Sequence, residues 1–215
     1  HTSVGKIISQ ITEGSSVLEF GPGNGRMTQY LINEKKCRVS IVEFDSVLFE
    51  HVMGFAQDGF LGNIEEYKWN DHFTDKKFDF IVFADVLEHL TDSEKALKEA
   101  SKFLAPNGEV LLTFPNLAHN SVLIDLFNNK LDWKQYGLLD RTHNSFYTQR
   151  GLKNYLIESV YQFVVKILPI RRLVKMSYQQ ATKSCQKWFA MISKTVHSAK
   201  SISISMLYVK SLLKI

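Results

Sequence analysis

Three glycines fall within five positions of the stretch VLEFGPGNGRM, at 21, 23 and 25. Glycine-dense turns between a strand and a helix let the backbone approach a ligand closely. A pyrophosphate-binding fingerprint needs the spacing G-x-G-x-x-G, with its last glycine five residues after the first. Here that place is held by Arg26, and Glu19 stands two residues before Gly21. A carboxylate would repel a pyrophosphate but attract an ammonium or sulfonium. Spacing and charge therefore favour a cationic nucleoside over a dinucleotide. Glu43, after the apolar run VSIV, suits a ribose, because an ionised carboxylate accepts hydrogen bonds from both vicinal hydroxyls. Asn63, after Gly62, could pair with a base edge, and a plain loop position explains it equally well.

A second set of reactive types lies downstream. FPNLAHN places His119 beyond a strand end, and GLLDRTHNSFYT gathers Asp140, Arg141, His143, Phe146 and Tyr147. An attacking alcohol must lose a proton, so His143 is the first candidate general base and His119 the second. Histidines in such loops also cap helices. Asp85, Glu88 and His89 put two oxygen ligands and an imidazole on about one helical turn, a set suited to Mg²⁺ or Mn²⁺. The same residues fit helix-start and packing roles, and no metal is assigned from the sequence.

These residues need a scaffold. Val4, Ile7, Ile8 and Ile11 recur at helical spacing, giving a leading helix. SVLEF, RVSIVEFD, KFDFIVFAD and EVLLTFPN read as strands; RMTQYLINE, SVLFEHVMGFA and SEKALKEASKFL read as helices. A weaker element lies near GFLGNIEEY. Ser93 or Thr91 is the expected cap of the third of these helices, and Pro106-Asn107-Gly108 its stop. Such alternation predicts an α/β fold, a doubly wound, mostly parallel sheet with helices on both faces. Residues 117–147 read as a substrate-side insertion with a short helix, followed by a helix at TQRGLKNYLIES and a strand at YQFVVKIL.

VLEFGPGNG, VSIVEFD, FDFIVFADVLEHL and FLAPNGEVLLTFPN, in this order, resemble the class I S-adenosylmethionine-dependent methyltransferases, which are Rossmann-like. The resemblance covers roughly residues 13–158. It implies S-adenosylmethionine as cofactor and S-adenosylhomocysteine as product. By it, Glu19, Phe20, Gly21, Gly23 and Gly25 line the methionine and ribose portion, and Glu43 with Phe44 holds the ribose side. Asn63 and Ile64 meet the adenine, and Ala84, Asp85 and Val86 border the sulfonium. Many relatives carry Asp where Asn63 stands. The arrangement PN..HN and GLLDRTH..FYT is similar to a subgroup associated with bacterial surface-glycan modification, which points to a hydroxyl of a glycan or small molecule as acceptor. Some ubiquinone-pathway O-methyltransferases, and the small-RNA 3′-end 2′-O-methyltransferases, hold a divalent ion with an acidic-x-x-Glu-His cluster. In the RNA enzymes a further histidine follows, in a place comparable to His143.

The remainder is read from composition. With 215 residues, one domain plus an appendage is expected, at 1–167 and 168–215. Net charge +4 hides an acidic body and a tail, 159–215, with no Asp or Glu. Val174, Tyr178, Ala181, Cys185, Trp188, Ile192 and Val196 mark an apolar stripe on a basic helix, followed by an alternating strand. Packing on the sheet is the simplest role; contact of 171–200 with a membrane surface or a partner is the alternative. Two cysteines give no disulfide framework, and no spanning segment or secretory leader is legible, so the expectation is cytoplasmic. A cofactor-binding module without catalysis, partnering an active enzyme, and an RNA methyltransferase are the competing functions. No RNA-binding motif supports the latter, and nucleic acid is not expected as a partner.

Overall fold

The computed structural model describes residues 3–159 and 165–167. Helix α1 (Ser3–Gln10) leads into β1 (Ser16–Phe20), α2 (Arg26–Asn33), β2 (Arg38–Glu43), α3 (Ser46–Met53) and β3 (Asp58–Leu61). After a 3-10 turn at Ile64–Glu66 come α4 (Trp69–His72), β4 (Phe78–Ala84), a second 3-10 turn at Leu87–His89, α5 (Ser93–Ser101) and β5 (Leu104–Thr113). Helices α6 (Asn120–Phe127) and α7 (Gln149–Ser159) precede β6 (Val165–Ile167). The sheet runs β3-β2-β1-β4-β5-β6 with every pair parallel. This is the doubly wound α/β arrangement expected. Strand order reverses between β1 and β4, and ligands of such sheets bind beyond the carboxyl ends of the strands at that switch point.

Side chains of a strand alternate between faces, and here both faces are buried. Val17, Val82 and Leu111 join a cluster with Ile7, Met27, Leu31 and Val52 of α1, α2 and α3, and with Ile11 just after α1. Leu18, Phe20, Ile81, Phe83 and Leu112 join the other, with Trp69, Phe73, Leu97 and Ala100. Phe20 stacks on Phe83 at 4.5 Å between ring centroids and meets the edge of Trp69 at 4.9 Å. Each such buried side chain contributes about 1.5–3 kcal/mol. This aromatic layer sits directly beneath the carboxyl ends of the two strands that flank the switch point.

Two local expectations are corrected. The cap of α5 is Asp92, whose side chain accepts the Lys95 amide at 2.9 Å. Ser93 is instead buried, with its hydroxyl against that of Tyr155, and the Thr91 amide donates to Glu65. Pro106-Asn107-Gly108 does not stop α5, which ends at Ser101. Those residues loop out within β5, where the pairing jumps from Phe78 with Leu104 to Phe80 with Glu109. Helix α4 was not anticipated, because four residues carry too little periodicity to read. The basic helix and strand expected in 168–215 lie outside the described residues.

Candidate cofactor and acceptor site

The turn after β1 is shaped by left-handed backbone. Gly21, Gly23 and Gly25 have φ of 62°, 55° and 69°, a region that side chains with a Cβ rarely occupy. A Cβ on Gly25 would lie 2.7 Å from Phe55 and 2.8 Å from Val52, so the turn is pressed onto α3 and the chain after it. At Gly23 a Cβ would meet nothing within 4 Å. The turn thus presents bare backbone to open space at one position and packs hard at another.

Glu43, at the end of the neighbouring strand β2, is 3% exposed. Its Oε2 accepts the Gly23 amide at 3.2 Å, and its Oε1 accepts the amides of Phe44 and Asp45 at 2.9 and 3.1 Å. Three donors fix the carboxylate against the glycine turn, leaving Oε2 one lone pair for a ligand hydroxyl. Phe44, next in the chain, is 76% exposed, an aromatic face beside the turn. Glu19 is buried and accepts the Thr28 hydroxyl at 2.7 Å. Burial, offset in part by Thr28 and reinforced by Glu43, pushes its carboxyl up to about 7. Phe20 is wholly buried, so only its backbone faces the turn. These features fit a nucleoside with a free ribose: a bare backbone cradle, a fixed carboxylate and an exposed ring.

The remaining positions expected to meet a cofactor are placed as follows. Asn63 is exposed and caps the first 3-10 turn, its side-chain oxygen accepting the Glu65 amide at 2.8 Å. Ile64 is a core residue whose carbonyl accepts the Trp69 indole N–H at 2.8 Å. Across the switch point, Asp85 follows Ala84 in the left-handed region, at φ 55°. Thr113 holds it there: its hydroxyl donates to Asp85 Oδ1 at 2.7 Å and accepts the Asp85 amide at 3.0 Å. Val86 packs where a Cβ on Gly21 would fall, 2.9 Å away, so the β1 and β4 turns touch. A non-glycine residue in this conformation is strained and is found where structure around it dictates it. Thr113 was missed by sequence reasoning. Its signal is a polar residue closing the apolar run VLLTF.

Beyond β4 the two histidine-bearing segments meet. The Asn144 and Ser145 amides donate to the Glu88 carbonyl at 2.6 and 3.2 Å, and the Asn144 side-chain amide donates to the His89 carbonyl at 2.7 Å. The rings of His89 and His143 are 4.8 Å apart. Burial, helped by neighbouring His89 and opposed by Asp140, lowers the His143 imidazole below its ordinary value. His143 also lines an open cavity of ≈ 460 Å³ with Trp133 and Arg141, and Phe146 packs at 5.4 Å from Trp133. Trp133, which sequence reasoning did not single out, is a further candidate because it lines this cavity. His119 lies elsewhere in role: its Nδ1 caps α6, accepting the Ser121 amide at 3.2 Å. Among the described residues, the potential metal-ligating group is Glu88, His89 and His143, without Asp85.

The chain matches the methyltransferase domain family over residues 4–162. Among curated proteins it is similar to the ubiquinone/menaquinone biosynthesis C-methyltransferase UbiE of Cronobacter sakazakii, 28% identical over 158 residues, covering 71% of this chain and 61% of that protein. The same enzyme of Shewanella sp. strain ANA-3 is 28% identical over 162 residues, covering 71% and 62%. The chain thus spans about three fifths of the length of these relatives. Among solved structures, an S-adenosylmethionine-dependent methyltransferase from Archaeoglobus fulgidus superposes with TM-score 0.56 at 17% identity, covering 73% and 65%. One from Thermotoga maritima, described as a possible histamine N-methyltransferase, gives 0.55 at 18%, covering 74% and 69%. With a family match across three quarters of its length and a sheet of this topology, the chain belongs to the methyltransferase domain family, as a class I S-adenosylmethionine-dependent member.

Proposed function

We propose that this domain moves the methyl group of S-adenosylmethionine to a hydroxyl oxygen of a small molecule or glycan. The observation that carries this reading is the cavity bounded by Trp133, Arg141 and His143, tied by backbone hydrogen bonds to the segment just after β4. Methyl transfer from a sulfonium is an in-line displacement, so the protein must align acceptor, methyl carbon and sulfur and keep water out. The cofactor is held by the β1 turn and Glu43, with Asp85 and Val86 closing the methyl-bearing side. Trp133 and Phe146 offer ring faces to a sugar or aromatic acceptor, and Arg141 a cation to an acidic group. Exposed Ile124, Phe127, Leu131 and Tyr136 continue this apolar character along α6 and the loop after it, which suits an acceptor with an apolar portion. An oxygen nucleophile sheds a proton as it attacks; His143 lines the cavity, and Glu88 and His89 stand beside it.

The names of the curated relatives favour a second reading, transfer to carbon. Incubation with S-adenosylmethionine carrying a ¹³C methyl, against a panel of glycans, phenols and quinols, separates the two. Oxygen transfer gives methoxy carbon signals. Carbon-bound methyl signals would overturn this reading, and transfer to neither class by a cofactor-binding protein would favour a binding module without catalysis.

A further inference from the structure

We propose that Glu88, His89 and His143 form a binding site for one divalent transition-metal ion, at the edge of the cavity bounded by Trp133 and Arg141. The three residues each offer a ligand atom, all within 4.8 Å of one another. Glu88 is 1% exposed, and both of its carboxylate oxygens are buried without a hydrogen-bond partner. Nδ1 of His143 is buried and unpartnered as well. Buried polar atoms in folded proteins are almost always paired, and each orphan costs free energy. A cation held between one Glu88 oxygen and a His143 ring nitrogen would give these two residues the partner that the fold itself does not supply.

The surroundings of His89 point the same way. The Thr142 hydroxyl donates to Asp140 Oδ1 at 2.7 Å and lies 3.1 Å from His89 Nδ1. With its proton committed to Asp140, that hydroxyl accepts from Nδ1–H. The Thr142 carbonyl, 3.2 Å away, is a second acceptor for the same proton. The tautomer so fixed leaves the lone pair on Nε2, as second-shell partners do for metal-bound histidines. The backbone clamp from Asn144 and Ser145 to Glu88 and His89 holds both segments in this register without the ion.

The donor set identifies the ion's class. Two imidazoles and one carboxylate, with no thiolate, suit Mn²⁺, Fe²⁺, Co²⁺ or Zn²⁺, whereas Mg²⁺ and Ca²⁺ prefer sites built of oxygen. Three protein ligands leave positions for water or an acceptor oxygen. Asp85, which the sequence grouped with this set, is drawn off by Thr113. Ion binding stands on this geometry alone. The use of the ion to acidify a coordinated hydroxyl, in place of direct proton uptake by His143, rests on the proposed function.

The full chain, dialysed against chelator, is titrated with Mn²⁺ and the free ion followed by electron paramagnetic resonance, with Zn²⁺ as competitor. One ion per chain is expected, displaced by Zn²⁺. Affinity falls at least about tenfold in Glu88→Gln and in His143→Gln, and is unchanged in His51→Gln on α3. Circular dichroism verifies the fold. Because His143 is only half buried on a loop, its variant reports even if Glu88→Gln misfolds. A folded wild type that binds neither ion, or binding equal in wild type and His143→Gln, overturns the site. No acceptor is present, so failure of methyl transfer leaves this result standing.

Discussion

Alanine placed at Gly23 and at Gly25 should separate the cradle's ligand face from its packed face. Both glycines have left-handed backbone, φ 55° and 69°, and an alanine there costs about 1–2 kcal/mol. At Gly25 the added Cβ also meets Phe55 at 2.7 Å and Val52 at 2.8 Å, an overpacking worth about 1–3 kcal/mol more. A domain of this size loses about 2–4 °C of Tm per kcal/mol. Gly25→Ala is therefore expected to melt about 4–20 °C below wild type, and Gly23→Ala only about 2–8 °C below. Affinity should order them differently. At Gly23 the new methyl group enters open space that the cofactor is expected to fill, and an overlap of about 1–3 kcal/mol weakens binding about 5- to 150-fold. Differential scanning fluorimetry and calorimetric titration with S-adenosylmethionine read the two effects. Wild-type affinity in Gly23→Ala would show that this position does not face the cofactor. Equal melting of the two variants would refute the packing argument at Gly25.

Other consequences are equally direct. Glu19, raised to about 7 by burial, binds its proton more tightly folded than unfolded. Its contribution to stability is present below about pH 4.5 and is lost as pH rises through about 7, so stability falls by up to about 1.4 kcal/mol per pH unit between these values. Glu19→Gln, which can still accept the Thr28 hydroxyl, should flatten this part of a Tm-against-pH curve; an unchanged slope would assign it to other groups. Asp92→Ala removes the cap of α5 and should cost about 1 kcal/mol in urea unfolding, with no loss identifying another residue as the cap. Thr113→Val keeps the shape but removes both hydrogen bonds to Asp85, and should cost about 1–3 kcal/mol together with cofactor affinity. Affinity equal to wild type would show that the Asp85 turn does not need them.

The sheet was legible because burial on both faces leaves near-continuous apolar runs such as FDFIVFA and VLLT, punctuated by glycine and polar turns. The meeting of the β1 turn with Glu43 was legible as well, since a glycine turn and a carboxylate ending the next strand are local signals that topology brings together. What could not be read were contacts between segments far apart in sequence. Thr142 reaches His89 across 53 positions, Thr113 takes Asp85 across 28, and the Glu88 carbonyl collects two amides from the segment between α6 and α7. None of these has a period or a spacing. The same limit explains Asp85: one helical turn on paper joins it to Glu88 and His89, but its left-handed backbone and Thr113 turn it away. Pro106-Asn107-Gly108 reads as a helix stop by its residue types, yet the fold uses it to let β5 run on past Asp79 with four residues, 105–108, looped out.

The central claim is that the β1 turn and Glu43 bind the nucleoside of S-adenosylmethionine. Calorimetric titration of wild type and Glu43→Ala with S-adenosylmethionine, and with NADH in parallel, tests it most directly. The account predicts saturable one-site binding of S-adenosylmethionine, at least about tenfold weaker in Glu43→Ala as a charged hydrogen bond is lost, and no binding of NADH. A folded wild type that binds no S-adenosylmethionine, or an affinity indifferent to Glu43, would contradict it.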